Sequence, residues 1–301
     1  MNPSGGNLSG REEVRRSQIW NTYTDLSKRF KFSYFLKHLM RISVVSVKGG
    51  VGKSTISFHE GITAARAGLR TLIIDRDPTG YISKRMGLQT QGLLHSTITG
   101  EMEPFYAEVN VGKGVLGVLR IYPDSPLLFE EAYKVHRDPT LKQKFYGDYK
   151  SFLQNHDFSL YLVDNPPNIW WSDEVVINEY NNFVEALPKV KPYRLYVSDP
   201  SPMGITSCLN YAKKIEEYAP TEDPPIGLVV NMVPPFPDEL ELAKREAVGA
   251  GKELRVKVVA VIPFDERLYS YRVNRMGESM PEQIEELAKA LLNPVRELIV
   301  I

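Results

Sequence analysis

The apolar run Ile42-Ser43-Val44-Val45-Ser46-Val47 leads straight into Lys48-Gly49-Gly50-Val51-Gly52-Lys53-Ser54-Thr55. Such a junction reads as a buried strand, a glycine loop and the start of a helix. A loop of this kind turns successive backbone N–H groups toward a polyphosphate, and the helix it opens adds the positive end of its dipole. Gly49, Gly50 and Gly52 let the chain curl closely. Lys53 is placed to reach β- and γ-phosphate oxygens, and the Ser54 hydroxyl to ligate Mg²⁺. Lys48 has no job in that description, and Val47 stands where the ordinary phosphate-loop pattern has glycine.

The 301 residues suffice for one large α/β domain or two small ones, and a hydrophobic content of 43% is ample for a core. No apolar run approaches membrane-spanning length, and the polar start MNPSGGNLSG does not read as a signal peptide, so a cytoplasmic protein is expected. The single cysteine, Cys208, excludes an internal disulfide and a CxxC metal clamp. Zero formal net charge argues against a globally basic nucleic-acid binder. Charge is nonetheless uneven, because the first 41 residues hold eight basic against three acidic side chains.

From Ile42 onward, short β-branched runs alternate with amphipathic stretches, which predicts a mostly parallel twisted sheet with helices on both faces. Strands are expected at Ile42–Val47, Thr71–Asp75, Gly117–Ile121, Leu160–Asp164, Leu195–Ser198, Gly227–Asn231 and Lys257–Val261. Ile205, Cys208, Leu209, Ala212 and Ile215 recur at helical spacing as a core-facing stripe. A last helix is expected to start at Ser279, with Pro281 near its first turn and Ile284, Leu287 and Leu291 on its apolar face. Leu298 to Ile301 reads either as a last packed strand or as a loose tail.

Two strands end in carboxylates. Leu72-Ile73-Ile74 runs into Asp75-Arg76-Asp77-Pro78-Thr79-Gly80, and Leu160-Tyr161-Leu162-Val163 into Asp164-Asn165-Pro166-Pro167. Open parallel sheets bind ligands beyond such carboxyl ends, and a rigidly held carboxylate suits a metal-bound water. Each segment alone is also an ordinary turn after a strand.

With its extra lysine, the loop resembles the deviant Walker A motif of the ParA/MinD superfamily of ATPases. The segment at Asp75 is similar to that family's D-x-D-P-Q-G, with Thr79 for glutamine. The segment at Asp164 is similar to its D-T-P-P, with Asn165 for threonine. The resemblance runs from about Arg41 to Leu292 and implies ATP and Mg²⁺ as cofactors. By it, Lys48, Gly49, Gly50, Val51, Gly52, Lys53, Ser54 and Thr55 cradle the phosphates, and Lys48, Lys53 and Asp77 are the catalytic set. Ser54, Asp77 and Asp164 form the metal shell, with Asp77 near the attacking water. Asn231, Pro263 and Phe264 are expected at the adenine, although a polar strand cap is the plain alternative for Asn231. Relatives that carry iron–sulfur clusters need bridging cysteines, which this chain lacks.

The resemblance further implies a slow ATPase acting as a switch in DNA segregation, with Lys48 reaching the ATP of a facing subunit in a homodimer. The ATP dimer would bind non-specific DNA at the nucleoid, and a centromere-binding or cargo adaptor protein would stimulate hydrolysis. Lys213, Lys214, Lys244, Arg245, Arg267, Arg272 and Arg275 are candidate DNA contacts, against the plain alternative of solvated helix faces. A MinD-like membrane-associated ATPase and a metabolic ligase or kinase are the other readings. Membrane attachment is disfavoured by the acidic face of the last helix, Glu282, Glu285 and Glu286. Residues 1–40 read as a basic, partly helical extension, with Ile19, Tyr23, Leu26 and Phe30 at helical spacing, and residues 41–301 as the ATPase domain.

Overall fold

The computed structural model describes residues 39–124, 127–220, 224–269, 281–293 and 298–301. Strand β1 (Met40–Val45) feeds the glycine loop and helix α1 (Lys53–Arg66), followed by β2 (Arg70–Asp75), α2 (Tyr81–Arg85) and α3 (Gly92–Thr99). A hairpin of β3 (Tyr106–Val111) and β4 (Gly114–Arg120) precedes α4 (Leu127–Arg137), α5 (Pro139–Asn155) and β5 (Leu160–Asp164). Then come α6 (Glu174–Ala186), β6 (Lys191–Ser198), α7 (Pro202–Tyr218), β7 (Pro225–Val233), α8 (Pro237–Leu254) and β8 (Val258–Pro263). The short α9 (Glu266–Tyr269), α10 (Glu282–Leu292) and β9 (Ile299–Val300) complete the described elements.

These strands form one nine-stranded sheet in the order β3-β4-β2-β5-β1-β6-β7-β8-β9. Every neighbouring pair is parallel except β3 with β4. All seven expected strands are present, within a few residues at their ends. Strand β3 was not anticipated, because Tyr106-Ala107-Glu108-Val109-Asn110-Val111 is half-exposed and polar at alternate positions, as an edge strand is. The terminal residues resolve as a packed strand, with Val258 opposite Ile299 and Val259 opposite Val300.

Alternation along the central strands divides their side chains between two layers. Leu72, Ile74, Tyr161 and Val163 face a core with Phe145, Tyr149, Phe152 and Phe183 from α5 and α6. On that same face, beyond β1, Val45, Tyr196 and Val230 belong to a second core with Ile205, Cys208, Ala212 and Ile215 of α7. Ile73 faces the opposite way, toward α1. A Cβ added at Gly61 of α1 would stand 3.0 Å from Ile73 Cδ1 and 2.9 Å from Leu116 Cδ1, so glycine there lets helix and sheet approach closely.

Local sequence chemistry starts two of the covering helices. Asp138 accepts hydrogen bonds from the Thr140 and Leu141 N–H groups ahead of α5, and Ser201 accepts from the Gly204 N–H ahead of α7. A proline follows each cap. Helix α10 begins later than expected: Pro281 precedes it in extended conformation (φ −53°, ψ 134°), while Ser279 lies outside the described residues. Its apolar face, Ile284, Leu287 and Leu291, is buried as its spacing requires. The proposed helix in residues 1–40, with Ile19, Tyr23, Leu26 and Phe30, falls almost wholly outside the described residues, as do Arg272 and Arg275.

Candidate functional site

The glycine loop leaves β1 at the point where the sheet changes direction, between β5 on one side and β6 on the other. Open parallel sheets place their ligand crevices at such switch points. Gly50 (φ +75°) and Gly52 (φ +89°) take left-handed backbone conformations that L side chains avoid. No atom lies within 4 Å of where a Cβ on Gly50 would stand, so the loop is open on that side. Beneath Gly52 the space is taken, because a Cβ there would stand 2.2 Å from Asn231 Nδ2.

Asn231 reaches that position through a break in β7, whose pairing register with β8 shifts after Val230 and whose Met232 has φ +59°. Its Nδ2 donates to the Val51 carbonyl at 2.9 Å. The amide therefore braces the loop from inside. Pro263 ends β8 one strand away and Phe264 follows it, with the Phe264 N–H bonded to the Val233 carbonyl at 2.8 Å and the residue 37% exposed.

The carboxylates gather on the α1 side of the sheet. Asp164 is fully buried and accepts from Ser54 Oγ at 2.6 Å and from Ser57 Oγ at 3.0 Å. Parallel pairing sets Asp75 directly beside Asp164. Asp75 accepts from the Ser83 N–H at 2.9 Å and Ser83 Oγ at 2.6 Å. Burial, and for Asp164 also the neighbouring Asp75, pushes both carboxyls above the ordinary carboxylate range. Lys53 is buried as well, which lowers its pKa, while Asp164 and Asp77 draw it back up. Asp77 is only partly buried and accepts from the Thr79 N–H at 2.9 Å and Thr79 Oγ1 at 2.7 Å.

Lys48 bonds within its own chain. Its Nζ lies 2.8 Å from Asp199 Oδ2, in the loop after β6. Asp199 is held in turn by the Ser201 N–H at 3.1 Å and Ser201 Oγ at 2.5 Å. Partial burial opposes its charge, but Lys48 and these donors hold the carboxyl below its usual range. Asp199 and Ser57 were not singled out from sequence. The available signals were an acidic residue at the end of an apolar strand, and a hydroxyl three residues beyond Ser54 on one helix face.

A Mg-nucleotide suits this donor set. Loop amides and Lys53 fit phosphate oxygens, and the hydroxyl–carboxylate pair Ser54–Asp164, with Asp77 nearby, is oxygen chemistry of the kind Mg²⁺ takes. Of the candidate DNA contacts, Lys213 is paired with Glu253 (2.6 Å), Arg245 with Glu246 (3.7 Å) and Arg267 with Asp265 (2.6 Å). Lys214 and Lys244 are exposed on α7 and α8.

Comparison with known proteins agrees with the geometry. The chromosome-partitioning ATPase Soj of Thermus thermophilus is 27% identical over 129 residues, which are 43% of this chain and 47% of that protein. The chain thus spans about half the length of that curated relative. Among solved structures, apo McdA of Cyanthece superposes with a TM-score of 0.58 at 17% identity, covering 85% of this chain and 100% of the other. Cobyrinic acid a,c-diamide synthase from Mycobacterium smegmatis, solved with an ATP analogue and magnesium, gives 0.53 at 16% identity over 84% and 94%. These similarities establish a shared fold. A family model described as the CobQ/CobB/MinD/ParA nucleotide binding domain matches residues 42–278, the span that holds the loop, both carboxylate segments and Asn231, and the chain belongs to that family.

Proposed function

We propose that this protein is a Mg-ATP-dependent switch that dimerises on ATP and serves DNA segregation. The observation that carries the reading is Lys48. Its side chain is 46% exposed at the carboxyl edge of the sheet, outside the cradle formed by the rest of the loop, in an ion pair that is easily exchanged. Around that edge Trp170, Met203, Phe236 and Phe264 are exposed, an apolar rim suited to a second copy of the chain.

In this reading the loop amides and Lys53 hold the nucleotide, and Ser54 and Asp164 hold the metal. Bound Mg²⁺ would neutralise charge on the phosphate oxygens. Asp77, tethered by Thr79 yet open to solvent, orients the attacking water. Lys48 exchanges Asp199 for the phosphates of the facing subunit, so that ATP binding and dimerisation become one event. Hydrolysis then dissolves the dimer. The segregation role is supported by the partition ATPase among the relatives and by basic residues on α7 and α8. A cargo-bound adaptor protein would stimulate turnover.

The test is Lys48→Ala. The variant should retain nucleotide binding by calorimetry and lose ATP-dependent dimerisation and hydrolysis; unchanged dimerisation and turnover reject the reading. DNA co-sedimentation with ATP but not ADP, falling steeply with salt, checks the segregation role.

A further inference from the structure

On β2 and its continuation, alternation sends Asp75 and Asp77 toward α1 and Arg76 to the opposite face. Arg76 is 2% exposed, unusual for a charged side chain between two site carboxylates. Its Nη1 donates to Asn165 Oδ1 at 3.0 Å and lies 3.2 Å from Glu179 Oε2, and its Nη2 donates to the Val175 carbonyl at 3.2 Å. Its backbone N–H donates to the Asp164 carbonyl at 2.9 Å.

Asn165 is the residue after Asp164, and its Nδ2 donates to the Val44 carbonyl of β1 at 3.1 Å. Glu179 Oε2 also accepts from Arg41 of β1 at 2.6 Å, and Glu179 Oε1 from Tyr149 at 2.5 Å. The strands that carry the glycine loop, Asp77 and Asp164 are therefore tied together behind the sheet, on the face away from the phosphates. Arg76 is the member that joins the Asp77 loop to the Asp164 loop through side chains.

We propose that Arg76 is a positioning residue for hydrolysis: locked to Asn165 and Glu179, it fixes the Asp77 loop relative to the Asp164 loop without touching nucleotide. This rests on the ATPase reading above. The chemistry of the contact supports it. A guanidinium offers a rigid planar fork, and its buried bonds leave little freedom for the backbone one residue before Asp77. Two guanidiniums, those of Arg41 and Arg76, share the single Glu179 carboxylate. Removing Glu179 would strand both cations, whereas removing Arg76 leaves a balanced Arg41–Glu179 pair, so the fold should tolerate the loss.

The experiment compares Arg76→Met with the wild-type full chain. Misplacing a reacting group by about 1 Å can cost on the order of 100-fold in rate. Arg76→Met should accordingly lower kcat by roughly tenfold to 100-fold, with KM for ATP and thermal midpoint little changed. Unchanged kcat overturns the proposal, and so does a parallel loss of nucleotide affinity and midpoint, which marks a merely structural role. Hydrogen exchange supplies a readout independent of turnover. On adding Mg²⁺ and a non-hydrolysable ATP analogue, wild type should gain protection at the Asp77, Thr79 and Gly80 amides and at the Asn165 and Asn168 amides together, while in Arg76→Met the Asp77, Thr79 and Gly80 amides no longer follow. Joint protection retained in the variant overturns the proposal even if neither protein hydrolyses ATP. A wild type that does not bind the analogue rejects the ATPase reading and the role built on it.

Discussion

At the scale of single residues, position within the strand–loop junctions decides which charges are spent and which stay exchangeable. Lys53 and Asp164 are buried and engaged, whereas Lys48 and Asp199 form a bridge that remains 46% and 21% exposed. Such a pair contributes at most about 1 kcal/mol to folding. Asp199→Ala should therefore leave stability nearly unchanged while releasing Lys48 from its partner in the monomer. The expected outcome is dimerisation at lower ATP concentration than wild type, measured by light scattering across an ATP titration; a higher requirement would show that Asp199 supports the dimer instead. Lys48 was legible as a surplus lysine from its neighbours in sequence. Asp199 was not, since 151 residues separate the two and only the pairing of β1 with β6 brings them together.

At the scale of elements, α1 serves phosphate chemistry at one end and core packing along its length. His59 on this helix is 8% exposed, and burial, with Arg85 and Arg66 nearby, lowers its pKa to about 4. The sign follows from linkage. Unfolded chains take up the proton near the ordinary histidine value and the folded protein does not, so stability is intact above that value and is lost as the pH falls toward 4. Asp75 and Asp164 act the other way. Their raised folded pKa values favour the folded state in acid, and that contribution is lost as pH rises through them. His59→Gln should remove the histidine term alone. Relative to wild type the variant should gain about 2 kcal/mol between about pH 7.5 and about pH 5. Urea denaturation at both values checks this, and an equal difference at both would reject it.

Across the whole molecule, parallel pairing puts the carboxyl ends of β1, β2 and β5 to β8 on one edge, so that five separate loops meet the glycine loop there. Met203, at the start of α7 on that edge, is 77% exposed. An exposed substitution away from special features changes stability by no more than about 0.5 kcal/mol. Met203→Glu should then fold like wild type but dimerise more weakly with ATP, because a second subunit would have to desolvate the new carboxylate. Sedimentation velocity with ATP and with ADP measures the effect; dimerisation equal to wild type would place the subunit contact elsewhere. Among the described residues no helix is long and apolar enough to cross a membrane.

The sequence by itself determined the strand–loop–helix at Lys48 to Thr55, the parallel α/β class and the two carboxylate-tipped strands. Each is written in contiguous residues whose periodicity and turn chemistry act locally. Tertiary structure alone decided which carboxylates face α1, that Lys48 rests on Asp199, that Asn231 braces Val51, and that Arg76 turns away from the site toward Asn165 and Glu179. Those pairings depend on strand register and on the break in β7, which set distances between residues far apart in the chain and leave no local trace in composition or spacing.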